Sequence, residues 1–283
     1  MSNLFESGLN QYRQTVDNFV SNGSLRRFFD KYDCDSIMEN YYDVFVRHTQ
    51  GGKRIRAYLV KIGYELSGNK SDDKIVVPSL SFELFQTGVL VHDDIIDKSD
   101  SRRHRPSMHV ELGNDHVAVS KAICIGDFGI VAANDVIAHS DFDETIKIKA
   151  IAHQNSVFIK TFAGEIRDVE LSEYRLAPAD KILDMYKCKT AWYSVAGPLV
   201  LGAILSGADN EFVDKLCEFG INAGIAFQIK DDILGIFGDE KVLGKSVTSD
   251  ICEGKKTILL SHFLDNASQE DKRSFFNIYG MAM

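Results

Sequence analysis

The sequence predicts an all-α fold, and three observations predict it. Apolar residues recur at three-and-four spacing, few segments alternate strictly between polar and apolar, and the four prolines (Pro78, Pro106, Pro178 and Pro198) are widely spread. The clearest periodic run is Ile148, Ile151, Ala152, Ile159, Phe162, Ala163, Ile166 and Val169. Breaks are expected at 67–73, 112–115, 139–141, 177–180 and 206–210, where Gly, Asn, Asp, Ser or Pro interrupt the pattern. Asp180 and Asp209 read as N-caps of the helices that follow. No linker rich in Gly, Ser or Pro divides the chain and no internal repeat is visible. Residues 1–283 therefore read as a single domain, a bundle of about ten helices around a common core.

Composition narrows the function. Of 283 residues, 45% are hydrophobic and 26% charged, as in ordinary globular proteins, and the net charge of −9 argues against a general nucleic-acid role. The five cysteines (Cys34, Cys124, Cys188, Cys217, Cys252) have no paired spacing, which suits reduced thiols in the cytoplasm. The first residues lack the pattern of a signal peptide, and no stretch reads as a membrane span.

The chemistry-bearing segments, in chain order, begin with Gly51-Gly52-Lys53-Arg54-Ile55-Arg56. Two glycines allow close backbone approach, and Lys53 and Arg56 at the start of an apolar helix make an anion site, with a solvated basic face as the competing reading. Next, Val89-Leu90-Val91 leads into His92-Asp93-Asp94-Ile95-Ile96-Asp97. On a helix Asp93 and Asp97 project from one face, and their repulsion calls for a cation between them; a helix cap is the alternative for Asp93. Ser101-Arg102-Arg103-His104-Arg105-Pro106-Ser107 supplies guanidinium groups suited to phosphate, or to ion pairs with Asp97 or Asp100. Lys187-Cys188-Lys189-Thr190 offers an ammonium and a hydroxyl, though alone it reads as surface. Finally Gln228, Asp231 and Asp232 follow the apolar Ile225–Ile229 stretch and precede Gly244-Lys245 and Asp250–Thr257. Two acidic clusters on separate apolar helices, each with cations downstream, point to Mg²⁺ and a diphosphate.

The ordered set from Gly51 to Thr257 resembles the trans-isoprenyl diphosphate synthases, the all-helical prenyltransferases that include the farnesyl and geranylgeranyl diphosphate synthases. The resemblance implies the isoprenoid-synthase bundle around a deep central cavity, with two aspartate motifs facing each other across its mouth. It implies condensation of isopentenyl diphosphate with an allylic diphosphate, and a homodimer. Asp93, Asp97 and Asp231 match the metal ligands, with Asp94 and Asp232 beside them in the catalytic motifs. Lys53, Arg56 and Arg103 match residues that hold isopentenyl diphosphate, and Gln86 stands where members use His or Gln for that task. Arg102, Lys189, Thr190, Gln228, Lys245 and Lys255 match positions that hold the allylic diphosphate, Lys189 also serving catalysis. Gly164-Glu165-Ile166-Arg167-Asp168 is similar to the family's Gly-Gln-x-x-Asp helix, with Glu165 for Gln.

The implied chemistry explains these residue types. Ionising an allylic C–O bond leaves a carbocation and pyrophosphate, and about three Mg²⁺ ions with several side-chain cations stabilise the departing charge better than water does. The cation needs a dry wall, for which Phe158, Phe162 and Phe227 are candidates, with core packing as the alternative for each. Product length falls to residues upstream of Asp93: Val89 and Gly88, where Gly88 leaves room, then Phe85 and Phe82 about one and two turns deeper. A turn rises about 5.4 Å, close to one isoprene unit, so Phe85 as floor implies about twenty carbons and Phe82 about twenty-five or more.

Two departures stand out. Gly235 replaces the last carboxylate of the second motif, and the chain after Thr257 is short for the family, which implies a looser lid over isopentenyl diphosphate. A terpene cyclase of the same fold would not need Lys53, Arg56 and Arg103, and a non-catalytic subunit of a heteromeric synthase would tend to lose its aspartates.

Overall fold

The computed structural model describes residues 2–32, 35–70, 73–103, 105–174, 176–239, 249–252 and 254–280. The chain forms two compact units, Met1–Gln154 with Pro198–Val213 and Asn155–Gly197 with Asp214–Met283.

The first unit opens with α1 (Ser2–Ser21), α2 (Ser24–Phe29), α3 (Asp35–Thr49) and α4 (Ile55–Leu66). A short 3₁₀ turn, Asp73–Ile75, leads through α5 (Val76–Ser79) into α6 (Ser81–Ile96). A hairpin of two-residue strands, β1 (Ser101–Arg102) and β2 (Arg105–Pro106), precedes α7 (Met108–Glu111) and α8 (His116–Ala138). This hairpin is the only sheet among the described residues, so the all-α expectation holds. Asp115 caps α8 by accepting from Ala118 N at 2.7 Å, at the break expected there.

The helix pair α6 and α8 forms the tightest packing of the first unit. A Cβ on Gly88 would lie 2.5 Å from the Gly126 carbonyl oxygen, and one on Gly126 would strike His92. Glycine is therefore required at this crossing, because backbone meets backbone with no room for a methyl. Phe29, Tyr42 and Phe45 pack around Phe128 of α8, with ring centroids 5.0–5.2 Å apart, and hold α2 and α3 against that helix.

Helix α9 (Glu144–Ser172) carries the chain from the first unit into the second. There α10 (Ala179–Tyr186) runs directly into a ten-residue π-helix, Lys187–Ala196, and α11 (Gly197–Leu205) then belongs to the first unit from Pro198 on. Next come α12 (Asn210–Phe237), α13 (Ser249–Cys252), α14 (Ile258–Asn266) and α15 (Gln269–Phe276). Leu171, Ile182, Met185 and Tyr186 are the buried centre of the second unit, with Ile229 and Ile258 packed on them.

Several expectations need correction. Asp180 is not a cap: α10 starts at Ala179 after Pro178, so Asp180 sits inside the first turn, where its charge favours the helix dipole. Asp209 does cap α12, accepting from Phe212 N at 2.8 Å. Phe158 is buried, but Phe162 and Phe227 are exposed at 37% and 46%, so core packing accounts for Phe158 alone. The absence of any membrane-length stretch is also overturned. Asp73–Ile96, His116–Ala138 and Ala179–Leu205 are long and apolar enough to cross a bilayer by length and composition. In the apolar 18-residue window of each, 72%, 39% and 67% is buried within the fold.

Candidate active site

Helix α6 ends in the first acidic cluster. Asp93 and Asp97 lie one turn apart, and Asp97 N donates to the Asp93 carbonyl at 2.8 Å. Asp97 is exposed and Asp93 half-buried, whereas Asp94 is only 4% exposed. The helical phase explains the split: Asp94 falls on the same inward side as Val91, while Asp93 and Asp97 share the outward one. His92 points instead toward α8, with Nε2 3.1 Å from the Ile123 carbonyl.

Arg102 on β1 closes over this cluster. Its Nε donates to Asp94 Oδ1 at 2.6 Å and its Nη2 to Asp93 Oδ2 at 3.0 Å. Burial pushes the Asp94 carboxyl above the ordinary carboxylate range, and Arg102 offsets only part of that. Burial also works against the Arg102 charge, but Asp94 and Asp93 outweigh it and hold the guanidinium above its usual value. The structure thus pairs Arg102 with Asp94 and Asp93, and the Asp97 charge adds to their effect on it. Asp94 is an anchoring carboxylate rather than an outward-facing one.

The hairpin turn sets Arg103 apart from Arg102. Arg103 has a left-handed backbone (φ 53°), and its Nη1 reaches the Gln50 carbonyl at 3.2 Å, beside the Gly51–Arg56 segment. That segment turns at Gly51 (φ 79°) and Arg54 (φ 57°) before α4 begins. Arg54, 2% exposed, donates to Asp17 at 2.8 Å and to Glu83 at 3.3 Å. Glu83 Oε1 also accepts from Ala57 N at 3.2 Å, placing a carboxylate at the start of α4. Lys53 remains exposed and Arg56 half-buried, and Gln86 lies on α6 one turn after Glu83. The first unit therefore brings Arg103 beside the glycine-rich turn. Arg54 and Glu83 had escaped notice, although an acid within the apolar Ser81-Phe82-Glu83-Leu84-Phe85 run signals a buried charge in need of a partner.

Phe82 and Phe85 are wholly buried on α6, and Val89 is half-buried. Gly88 does not leave open room, as expected from sequence; the α8 backbone at Gly126 fills the space beside it.

The second acidic cluster belongs to the second unit. Asp231 is exposed and Asp232 only 2% exposed. Tyr186 donates its hydroxyl to Asp232 Oδ2, and Gln228 Nε2 donates to Asp232 Oδ1 at 2.9 Å. Thr190 Oγ1 donates to Gln228 Oε1 at 2.7 Å, and Ile258 N donates to Tyr186 OH at 3.0 Å. Burial and the Asp232 charge raise the Tyr186 pKa far beyond the ordinary phenol range, so this hydroxyl stays a donor. Asp232 is the hub of this network. Gly235, buried, supplies no further carboxylate.

Lys189, on the π-helix, donates to Asp168 at 2.6 Å and pairs with Glu165 at 2.9 Å. The substitution of Glu165 for Gln thus gives Lys189 a second anionic partner. Gly164 brings α9 against the Lys189 backbone, and Gly224 brings α12 against Ala191; a Cβ at either would collide. These contacts are made where the helix widens to π geometry, a feature that concentrates at functional sites. Lys255 is half-buried, Lys256 8% exposed, and Lys245 lies outside the described residues.

No group of three or more metal-ligating side chains converges among the described residues. The donors are nevertheless suited to a hard divalent ion: carboxylate oxygens presented singly or in pairs, as for Mg²⁺ that keeps water and substrate phosphates in its shell.

Residues 37–283 match the polyprenyl synthetase family. The geranylgeranyl diphosphate synthase of Sulfolobus acidocaldarius is 33% identical over 281 residues, 98% of this chain and 79% of the relative. The geranylfarnesyl diphosphate synthase of Aeropyrum pernix is 34% identical over 225 residues, covering 78% and 69%. The crystal structure of geranylgeranyl pyrophosphate synthase from Corynebacterium glutamicum, complexed with isoprenyl diphosphate and magnesium, superposes with a TM-score of 0.84 at 27% identity. That superposition covers 98% of this chain and 82% of the other.

Proposed function

Because the chain belongs to the polyprenyl synthetase family, the trans-isoprenyl diphosphate synthases, we propose that it condenses isopentenyl diphosphate head-to-tail with an allylic diphosphate. The product is a trans-prenyl diphosphate of about twenty carbons or somewhat more, with Phe85 as the floor one helical turn, about 5.4 Å, below Val89. The observation that carries this reading is the near full-length similarity to geranylgeranyl diphosphate synthases.

In this reading Lys53, Arg56, Gln86 and Arg103 hold isopentenyl diphosphate. Lys189, Thr190, Gln228, Lys245 and Lys255 hold the allylic diphosphate, with Arg102 dividing its charge between that diphosphate and Asp93 and Asp94. Asp93, Asp97 and Asp231 hold Mg²⁺, about three ions, which would supply charge neutralisation to the departing diphosphate. Asp94 and Asp232 position the outward aspartates beside them. Residues 1–283 act as one catalytic domain, supported by the family match running unbroken through both units.

The same proposal covers assembly and location. Val117, Ile123 and Val131 expose 56%, 42% and 67% of their surface on α8, which supports a homodimer. Cys124, Cys188, Cys217 and Cys252 are free thiols, which supports a cytoplasmic enzyme. The mostly buried apolar helices of α6 and α10–α11 support a protein that crosses no membrane.

The deciding experiment incubates pure protein with labelled isopentenyl diphosphate, farnesyl diphosphate and Mg²⁺. An elongated prenyl diphosphate is expected. A hydrocarbon would show a cyclase, and no product a non-catalytic subunit. Repeating the assay with Phe85→Ala should lengthen the product, and an unchanged chromatogram would remove Phe85 as the floor.

A further inference from the structure

The segment after α15 reaches back to the loop that carries Lys255. Tyr279 OH lies 2.5 Å from the Gly254 carbonyl and 3.1 Å from the Lys255 carbonyl, so its single proton serves the first with the second as a longer arm. Gly280 N donates to the Ile251 carbonyl at 3.0 Å. Both glycines are left-handed, Gly254 at φ 70° and Gly280 at φ 75°. A Cβ on Gly254 would lie 3.2 Å from Gly280 Cα, so the two backbones touch where neither residue has a side chain. Lys256 completes the clasp: its ammonium donates to the Gly254 carbonyl at 2.7 Å and lies 5.0 Å from the Tyr279 ring centroid. The ring also stacks on Phe275, with centroids 5.0 Å apart.

We propose that Tyr279 and Gly280 form a strap that ties the backbone of Gly254 and Lys255, and the end of α13 at Ile251, making Tyr279 a positioning residue for Lys255. The inference rests on the assignment of Lys255 to the allylic diphosphate. Where its backbone is held sets the region that a lysine ammonium can reach on its four-carbon stem. Three carbonyls, those of Ile251, Gly254 and Lys255, accept from residues 279 and 280, so the Lys255 backbone does not depend on local turn geometry alone. The Tyr279 hydroxyl is raised by burial to about 12, so it remains a donor through the neutral range.

Tyr279→Phe keeps the ring and removes only the hydroxyl. The KM for farnesyl diphosphate should rise about five- to tenfold, the effect of one lost hydrogen bond. The kcat and the KM for isopentenyl diphosphate should stay within about twofold, and the amides of residues 254–257 should exchange faster with deuterium. Adding Lys255→Ala should bring little further loss beyond that of Lys255→Ala alone. An unchanged KM for farnesyl diphosphate, or an equal rise for both substrates, overturns the inference. If the wild-type protein condenses nothing, the proposed function fails by itself. Inorganic pyrophosphate with Mg²⁺, titrated into wild type and variant, then reads the strap, and equal affinities overturn it.

Discussion

The two acidic clusters share a plan and differ in how it is supported. In each, the first aspartate faces outward (Asp93, Asp231) and the second is buried (Asp94, Asp232). Asp94 is held by a guanidinium, whereas Asp232 is held by the neutral donors Tyr186 and Gln228. The first motif also keeps Asp97 one turn on, where the second has Gly235. A buried carboxylate can be anchored by a guanidinium or by neutral donors, and removing one kind of anchor differs from removing the other. Removing the cation strands a charge, while removing a neutral donor leaves the rest of a network in place.

The largest predicted effect separates the outward aspartates. Asp93→Ala should lower kcat about 10³-fold, within the range for removing a group that organises transition-state charge. Asp231→Ala should cost about tenfold less, because no second carboxylate on its helix face acts with it. Steady-state rates at saturating Mg²⁺ check the order, and equal losses would show that Gly235 costs the second motif nothing.

Next comes the difference between the anchors. Arg102→Ala should destabilise by about 2 kcal/mol, below the usual 3–5 for a broken buried pair because the Arg102 side chain is a third exposed. Tyr186→Phe should cost about 1 kcal/mol, since Gln228 still donates to Asp232. Denaturant unfolding measures both. Adding Asp94→Asn should restore part of the Arg102→Ala loss, as it removes the stranded charge.

Some of this was legible in the sequence and some was not, for identifiable reasons. Helical periodicity marked α9, and punctuation by Gly, Asn and Asp marked the turns before α8 and α12, because those signals are local. The glycines at 88, 126, 164 and 224 gave no such signal, since what requires them is a backbone from another helix. Gly88 was misread for that reason: absence of a side chain was taken as open room. Spacing paired Asp93 with Asp97, but which aspartate of Asp93-Asp94 turns inward depends on the phase of α6 against the core. The partners Arg54–Glu83 and Tyr186–Asp232 lie 29 and 46 residues apart, beyond the reach of any motif. The bonds of Lys189 to Asp168 and of Thr190 to Gln228 join residues 21 and 38 apart, which no local pattern marks.

The smallest effect tests whether burial alone distinguishes carboxylates that meet arginine. Glu111 is bonded by Arg47 at 2.7 Å and by His48 at 2.8 Å, in a more open setting than Asp94. Burial raises its pKa as it does for Asp94, but the bonds to Arg47 and His48 outweigh it and the carboxyl ends below its usual 4.5. The signs are therefore opposite for the same kind of pair. A carboxylate with a depressed folded pKa adds stability above its unfolded value, and that stability is lost as pH falls through the folded one. Glu111→Gln should thus cost about 0.5–1 kcal/mol at pH 7. The gap between variant and wild type should hold down to about pH 5 and close as pH drops below the ordinary value of 4.5. Unfolding curves across that range decide it. A gap that persists unchanged in acid would mean Glu111 contributes packing rather than charge, and exposure would no longer explain why Asp94 and Glu111 respond in opposite directions.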